Sequence, residues 1–391
     1  MKVFECQKCG QLLYFDNILC EKCGCSLGYV SDESRLLSLQ YDDDGHLYPA
    51  SGVQRAYRYC TNAQYEVCNW LIPAERTEEF CAACVLNRTI PSLENIEHRL
   101  YWKKLELAKH RLVYSLLQLN LPVVSKQVDA EKGLAFDFLA APDPQFRETG
   151  KVITGHSQGL ITINIAEADD VEREKQRLQM GEPYRTLLGH FRHESGHYYW
   201  ERLMRGSVDL EAFRQVFGDE NLDYTQALDQ HYASPRQDWQ TAFVSSYASA
   251  HPWEDWAETW AHYLHIVDTL ETAFSFGLKV RPRVGQDQGL QAEITFDPYK
   301  QVEFAPLMDA WLPLTYAVNS LNRSMGEQDF YPFVLTPPVL EKLAFIHTII
   351  QHSRRGCPAV PGQRAAAPPR RERVCSGGAP GPVRGTCVPP D

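Results

Sequence analysis

The positions of the cysteines constrain the fold of this chain more than any other feature of its sequence. Nine of the twelve cysteines lie in the first 84 residues, and we expect neither cysteine segment to have enough large apolar residues for a core of its own. Thiolates bind zinc at about 2.3 Å, and structural zinc contributes on the order of 10 kcal/mol to the folding of small domains. We therefore expect metal to take the place of an apolar core in this region. Two groups of four form the predicted sites: Cys6, Cys9, Cys20 and Cys23, and Cys60, Cys68, Cys81 and Cys84.

The two cysteine groups differ in how specific their spacing is. The first contains two Cys-x-x-Cys pairs separated by ten residues, a spacing typical of zinc ribbons. The second contains one such pair, Cys81 with Cys84, so one or two structural zinc ions are expected. Redox chemistry is the alternative, but grouping by four favours closed tetrahedral sites. Cys25 either replaces a neighbouring ligand or is free.

Composition and charge exclude several classes of protein. Hydrophobic residues at 44% and charged residues at 23% are typical of a globular protein and exclude wholesale disorder. With 39 Lys and Arg against 50 Asp and Glu, the net charge of −11 argues against a strongly basic nucleic-acid-binding protein. No signal-peptide pattern and no apolar run of about 18 residues occurs, so we expect a soluble, cytoplasmic protein without a membrane span. In a reducing compartment, paired cysteines hold metal more often than they form disulfides.

The rest of the chain shows helical periodicity and one short pair of strands. Apolar residues recur at three-, four- or seven-residue offsets between residues 93 and 121, and Pro122 ends this pattern. Two strand-like runs, Val152–Thr154 and Leu160–Ile165, flank a polar link that contains glycine and predict a hairpin. Further helices are predicted at 184–204 and 253–274, and a last helix ends near His352.

The last 39 residues have a different composition from the rest. They contain eight Pro, six Gly and seven Arg, without Lys or aromatic residues, and such a segment cannot bury a core. We therefore expect residues 353–391 to be disordered, and Cys357, Cys375 and Cys387 to have no designed partner. The predicted organisation is a zinc-ribbon region at 1–92, a larger domain at 93–352 and this tail.

A His-Glu-x-x-His pattern at residues 193–197 carries the chemistry that the sequence indicates. Residues i and i+4 of a helix lie on one face, so His193 and His197 can bind one Zn²⁺ at about 2.0–2.1 Å. Glu194 lies beside that face and can act as a general base, taking a proton from a water that the metal activates. A chance match to so short a pattern is the alternative, but the amphipathic helix and the preceding pair of strands favour a zinc site.

A third protein ligand must come from elsewhere in the chain, which leaves the fourth position for water. The extended pattern with a third histidine is absent, because Trp200 and Leu203 stand where it requires glycine and histidine. Glu254 and Glu258 are one turn apart near the start of a helix rich in Trp. Glu254 is the predicted ligand, whereas Glu258 either hydrogen-bonds a ligand histidine or is itself the ligand.

Other histidines near these motifs are weaker metal candidates. His190 precedes His193 by about one helical turn, and it either competes as a ligand or fixes the helix through a hydrogen bond. We favour the hydrogen bond, because Glu194 has no evident role if His190 and His193 form the site. His262 and His265 continue the face of the two glutamates, where packing is the more common role of histidine.

These motifs resemble the gluzincin arrangement, in which a helical HExxH is followed by a ligand glutamate. The stretch from Glu254 to Glu258 is similar to the corresponding stretch of lethal factor-type peptidases. In that group a tyrosine seven residues before the ligand glutamate assists at the zinc, and Tyr247 stands at that offset. The resemblance implies that Tyr247 hydrogen-bonds the oxyanion of the tetrahedral intermediate, and an ordinary packed tyrosine is the alternative.

Residues 1–352 as a whole resemble a bacterial family of zinc-binding metallopeptidases with an N-terminal zinc ribbon. The matching stretches are the cysteine groups, Cys81–Pro91, Gly189–Trp200 and His251–His265. The resemblance implies an α+β protein in which zinc-ribbon modules precede a mainly helical, zincin-like metallopeptidase domain with a small β-sheet. It supplies a reaction class but no substrate, and the tail departs from it.

The predicted function is zinc-dependent hydrolysis of a peptide or protein substrate, with one catalytic zinc. The run Leu160–Ile165 is expected to be the edge strand along which an extended substrate pairs. The alternative is a non-enzymatic protein whose ribbons bind protein or nucleic acid, with a structural or vestigial HExxH zinc. Residues 1–60 carry more acids than bases, which weakens phosphate binding.

Overall fold

The structure is a computed structural model that describes residues 1–42, 46–52, 55–140, 154–180, 185–283 and 288–356. Its helices there are α1 (Ile96–Gln118), α2 (Asp170–Met180), α3 (Leu187–Leu203), α4 (Leu210–Phe217), α5 (Tyr224–Ala233), α6 (Pro252–Ser275), α7 (Ala305–Ser324) and α8 (Pro337–Gly356). Its strands there are β1 (Phe4–Glu5), β2 (Leu12–Leu13), β3 (Ser26–Val30), β4 (Arg35–Tyr41), β5 (Leu47–Pro49), β6 (Tyr57–Tyr59), β7 (Leu71–Pro73), β8 (Asn87–Thr89), β9 (Ala135–Leu139), β10 (Gly155–Ser157), β11 (Leu160–Asn164), β12 (Lys279–Val280) and β13 (Ala292–Glu293). Most strands precede the helices along the chain, which confirms the predicted α+β class.

The N-terminal region contains short antiparallel strands between and around its cysteines. β1 pairs with β2, and β3 to β7 form a meander in chain order. The expectation of few core-forming residues is wrong here, because Leu27, Tyr29, Leu36 and Trp70 are all buried. Such residues lie singly or in pairs on strands of a few residues, so no long apolar run marks them in the sequence.

The N-terminal region and the helical region share one apolar core. The ring of Phe15 lies edge-on to that of Tyr114 on α1, with centroids 5.2 Å apart, and the Tyr29 ring is 6.0 Å from the same tyrosine. The Tyr114 hydroxyl donates to Glu271 on α6 at 2.6 Å. Aromatic side chains of the ribbon region therefore cover the first helix of the following domain and pack against its core.

A mixed sheet in the order β10-β11-β9-β8 lies beside α1 and α3. β11 runs parallel to β9 and antiparallel to β10. The predicted hairpin is present, with its turn at Gln158 and Gly159, whose φ angles are 49° and 80°. Two successive residues with positive φ form a type I′ turn, whose twist matches that of the two strands of a hairpin. Its first strand is β10 instead of Val152–Thr154, of which residues 152 and 153 lie outside the described residues.

The prediction that Leu160–Ile165 is an edge strand is wrong. β11 is paired along both of its edges, and the residue after it, Ile165, begins a 3-10 turn. Among the described strands of this sheet, β10 and β8 are the edges. The alternation of Ile161 and Ile163 shows that one face is buried, but it carries no information on which backbone edges are paired.

The helices α3 and α6 cross closely, and this crossing positions the functional residues. A Cβ atom added to Gly196 on α3 would lie 2.8 Å from the Cα atom of Ala257 on α6. Two indoles on α6 fasten the crossing: Trp256 donates to the Gly196 carbonyl at 2.9 Å, and Trp260 donates to the Ser195 hydroxyl at 3.1 Å. The small residue inside the HExxH pattern is therefore the point at which the second helix approaches.

The C-terminal helix extends further than the composition suggested. α8 continues to Gly356, and Arg354, assigned to the disordered tail, donates to the main-chain oxygens of Leu119 and Tyr299 at 2.8 and 2.6 Å. The predicted disorder of the remaining tail, with its three cysteines, lies outside the described residues. None of the described helices combines the length and the apolar character needed to cross a bilayer.

Substitution of Gly196 by Ala tests the helix crossing. The added methyl group meets the backbone of α6, which cannot rotate away, so we expect a loss of about 1–3 kcal/mol in the free energy of unfolding. The matched control is Gly155→Ala on β10, where an added Cβ has no neighbour within 4 Å. Denaturant unfolding measures both variants, and equal stability of G196A and wild type would contradict the close crossing.

Candidate metal centre

Helix α3 places two imidazoles on one face, as the sequence predicts for residues four apart. The helix begins after Thr186, whose hydroxyl accepts the Gly189 N–H at 3.0 Å. The Nε2 atoms of His193 and His197 lie 3.2 Å apart. Helix α6 begins at Pro252, which suits the first helical position, and so Glu254 lies in the first turn.

Glu254 completes a set of three ligand atoms. Its Oε2 lies 3.1 Å from His193 Nε2 and 3.4 Å from His197 Nε2. Ligands about 2.0–2.1 Å from a tetrahedral zinc are separated by about 3.3–3.4 Å, so all three distances fit one ion. Glu254 Oε2 is buried and accepts no hydrogen bond from the described residues, as expected of an oxygen that faces a cation. Two imidazoles and one carboxylate form a common ligand set of catalytic zinc.

Glu258 contacts the opposite side of the His193 ring. His193 Nδ1 donates to Glu258 Oε1 at 2.7 Å, and the other carboxylate oxygen accepts the Ser245 hydroxyl at 2.6 Å. A carboxylate on Nδ1 fixes the tautomer and leaves the Nε2 lone pair free for a metal. Of the two candidate glutamates, the structure thus places Glu254 beside the Nε2 atoms and Glu258 behind His193.

Two tyrosines lie beside the ligand glutamate. The hydroxyl of Tyr224 on α5 donates to Glu254 Oε1 at 2.5 Å, which leaves Oε2 for the metal. Tyr247, predicted by resemblance, has its ring centroid 5.9 Å from that of His193. Sequence analysis missed Tyr224, because the Asp223 helix cap marks the start of α5 without showing where its side chains point.

Glu194 is buried next to the three ligands, with 5% of its surface exposed. One carboxylate oxygen, Oε1, lies 3.3 Å from His190 Nε2, and the other, Oε2, is buried without a hydrogen-bond partner among the described residues. Burial acts to raise the pKa of Glu194, but the hydrogen bond from His190 and nearby histidine charges outweigh it and lower the pKa. An ionised carboxylate with one free oxygen can accept a proton.

Both cysteine groups form compact sets of four sulfur atoms. The Sγ separations are 3.6 Å for Cys6 with Cys23, 3.6 Å for Cys9 with Cys20, and 3.7 Å for Cys68 with Cys81. Tetrahedral zinc at about 2.3 Å from each sulfur gives separations of about 3.8 Å, so both sets fit the ion. Cys25 lies outside the described metal-ligand sets.

The second cysteine site is surrounded by buried charges that sequence analysis missed. Cys84 Sγ lies 3.7 Å from Nε2 of His110 on α1. One turn away, Lys109 and Glu106 form a fully buried ion pair at 2.8 Å. Lys109 balances the charge of Glu106, whose carboxylate lies 3.9 Å from Cys84 Sγ, so the imidazole of His110 is the group that can donate to the thiolate. The signal in the sequence was a run of charged residues within an apolar helix, Glu106, Lys109 and His110.

Two family models match the chain. The model described as "Putative zinc-binding metallo-peptidase" matches residues 98–349, and a model described as "zinc-ribbon domain" matches residues 3–95. The chain belongs to this family of zinc-binding metallopeptidases. The resemblance inferred from the cysteine groups and the HExxH region is thereby confirmed.

Relatives of the chain are mycobacterial proteins that carry the name "Uncharacterized protein". One comes from Mycobacterium bovis and two come from strains of Mycobacterium tuberculosis. Each is 44% identical over 368 residues, which cover 91% of this chain and 99% of the relative. No solved structure matches the chain. Membership of the family therefore indicates a zinc-binding metallopeptidase in general terms. The role of each residue is inferred from the distances and contacts in the structure.

Removal of the Tyr224 hydroxyl tests how the ligand glutamate is held. In Tyr224→Phe the Glu254 carboxylate loses the donor on Oε1, and we expect zinc to bind about 10- to 100-fold more weakly at the histidine site. Tyr232→Phe on the same helix, where the side chain is 65% exposed, is the control. Co²⁺ replaces Zn²⁺ for the measurement, because its absorption spectrum distinguishes a site of nitrogen and oxygen ligands from a thiolate site. Competition with a chelator then measures the affinity of the histidine site for the metal. An unchanged affinity in Y224F would show that this hydrogen bond does not orient the ligand.

Substitution of Cys81 by Ser tests the second ribbon site. Two sets of four cysteines and the set of His193, His197 and Glu254 predict three zinc ions per chain in the wild type, since a fourth candidate set, Cys84 with Glu106 and His110, shares Cys84 with the second cysteine site. C81S should therefore retain two ions and melt at a lower temperature. Cys25→Ser removes a buried thiol outside these sets and should retain three. Elemental analysis of the purified proteins counts the ions, and a full complement in C81S would exclude the second site.

Proposed function

We propose that this chain is a zinc-dependent peptidase that hydrolyses peptide bonds at the centre formed by His193, His197 and Glu254. The observation that supports this most strongly is the set of three ligand atoms whose spacing fits one tetrahedral ion, next to which Glu194, adjacent to His193 on α3, has a buried oxygen without a hydrogen bond among the described residues. Zinc held there would supply a Lewis acid that polarises the substrate carbonyl and lowers the pKa of water. Two structural zinc ions in the cysteine sites complete the proposed metal content.

Glu194 serves as the general base and then as the general acid. Its Oε2 atom receives the proton of the attacking water, because Oε1 is already engaged by His190. The same carboxyl group then donates this proton to the nitrogen of the leaving amine as the peptide bond breaks. Burial excludes competing bulk water from the carboxylate and strengthens its electrostatic interactions.

Tyr247 stabilises the negative charge that develops on the carbonyl oxygen. Burial, followed by the charge of Glu254, raises the pKa of Tyr247 well above its ordinary value, so the hydroxyl keeps its proton. A protonated phenol beside the metal donates a hydrogen bond that strengthens as the oxyanion forms. The position of the ring near His193 supports this role.

The edge strand β10 is the proposed docking line for an extended substrate. β10 pairs with β11 along one side, which leaves the main-chain groups of its other side without a strand partner among the described residues. The ring of His156 on β10 lies nearly parallel to that of His197, with centroids 6.4 Å apart, so this strand borders the metal centre. A peptide that adds to a sheet edge is held by main-chain hydrogen bonds and so tolerates varied side chains.

The variant Glu194→Gln tests the proposed reaction. The amide cannot accept the proton of water, and we expect peptide hydrolysis to fall by about 100- to 10,000-fold at unchanged zinc content. Glu211→Gln on α4, where the carboxylate is 74% exposed, should keep full activity. Cleavage of a peptide library followed by mass spectrometry measures activity, and metal analysis is run on the same samples.

Two outcomes of this experiment would contradict the proposal. One is hydrolysis by E194Q at the wild-type rate. The other is a wild type that carries its full zinc complement and cleaves no member of the library. That second result would favour a non-enzymatic protein whose ribbons bind another macromolecule.

A further inference from the structure

His190 lies between two buried carboxylates. Its Nδ1 faces Oε2 of Glu167 at 2.5 Å, and its Nε2 faces Oε1 of Glu194 at 3.3 Å. Glu167 and Glu194 are each less than a tenth exposed. The general base of the proposed reaction is therefore one end of a row of three ionisable groups, carboxylate, imidazole and carboxylate.

Two ionised carboxylates on either side of the ring favour a doubly protonated imidazole. An ionised carboxylate only accepts hydrogen bonds, so each ring nitrogen that faces one must carry a proton. Burial acts to lower the pKa of His190, but the charge of Glu167 and its hydrogen bond outweigh this and raise the pKa to about 9. Burial likewise acts to raise the pKa of Glu167, and the charge of His190 outweighs it and lowers the pKa to about 2.

Glu167 is itself held rigidly by the sheet. It lies in the 3-10 turn that follows β11 (Ile165–Ala168), and its Oε1 accepts the hydroxyl of Thr154. The Thr154 oxygen in turn accepts the N–H of Asn164 at 3.1 Å. Arg173 on α2 donates to the Glu167 carbonyl at 2.8 Å. The far end of the row is thus anchored to backbone that precedes α3 in the chain.

We propose that His190 is the positioning residue of the general base, a role that rests on the proposed function. Its Nε2 lies at ion-pair distance from Oε1 of Glu194 and thereby holds Oε2 on the side of the metal centre, while Glu167 binds Nδ1 on the other side of the ring. A glutamate side chain turns about several bonds, and in the described residues Glu194 has no other hydrogen-bond donor that fixes it. Fixing the acceptor oxygen before reaction removes the cost of orienting it during the reaction.

The kinetic test compares His190→Gln with wild type. We expect kcat to fall by about 10- to 100-fold, with KM, zinc content and the absorption spectrum of the Co²⁺-substituted protein unchanged. Glu167→Gln should give a smaller loss, and the double variant should be no slower than H190Q, because both changes act through one hydrogen-bonded row. An unaltered kcat in H190Q would overturn the proposal, and so would a raised KM with a changed cobalt spectrum.

A matched control separates positioning from simple stabilisation. His347 is also buried with both ring nitrogens engaged, since Nδ1 lies 2.9 Å from the Tyr263 hydroxyl and Nε2 donates to the Val302 carbonyl at 2.8 Å. His347→Gln should lower the melting temperature at full kcat. If H347Q reduces kcat as much as H190Q does, the effect of His190 is structural and the positioning role is wrong.

The contact between His190 and Glu194 can also be tested by a measurement that does not depend on activity. Nitrogen-15 NMR of the zinc-loaded protein near neutral pH should show both ring nitrogens of His190 protonated. Glu194→Gln should shift the Nε2 resonance, whereas Glu211→Gln should not. A single protonated nitrogen, or an Nε2 resonance unmoved in E194Q, would overturn the proposal. If the wild type cleaves nothing while these shifts appear, the hydrolase proposal fails and the contact between His190 and Glu194 stands.

Discussion

The close crossing of α3 and α6 is the constraint on which the metal centre depends. One turn of α3 supplies two imidazoles on one face, and the third candidate ligand, Glu254, lies on α6. The third ligand must come from a helix near enough for a short glutamate side chain to reach the ion. Gly196 permits that approach, because any larger residue would meet the backbone at Ala257. A packing requirement and a coordination requirement are therefore met by one glycine inside the motif.

The first turns of α6 bring three acidic side chains close together, each with its own partner. Glu254 faces the two Nε2 atoms, Glu258 accepts from His193 Nδ1, and the third, Asp255, forms a buried ion pair with Lys342 on α8 at 2.7 Å. Lys342 also donates to the Ala242 carbonyl at 2.6 Å, at the start of the segment that carries Ser245 and Tyr247. The N-terminus of a helix favours negative charge, which lowers the cost of concentrating these carboxylates. One lysine thus links three separate parts of the chain around the centre.

Sequence alone predicted the elements whose signals are local. The helical period, the proline at the start of α6 and the HExxH spacing predicted α3, α6 and the candidate ligands that the structure brings together, since these depend on neighbours a few residues apart. Glu254 and Glu258 were left as alternatives, because residues one turn apart share a face and only the position of α3 distinguishes them. Tyr224 and Glu167 were missed, since each acts on a residue more than 20 positions away. The misplaced edge strand has the same cause, because β11 pairs with β9, a strand more than 20 residues earlier.

The aromatic contact between the ribbon region and α1 has a consequence for how the protein matures. Phe15 and Tyr29 reach Tyr114 only when the strands around the thiolates are in place, and His110 on the same helix faces one of those thiolates. Metal capture by the cysteines and closure of the helical core are then steps of one assembly process. We expect a cell short of zinc to accumulate incompletely folded chains exposed to proteolysis, instead of folded protein that lacks only the ion of the histidine site.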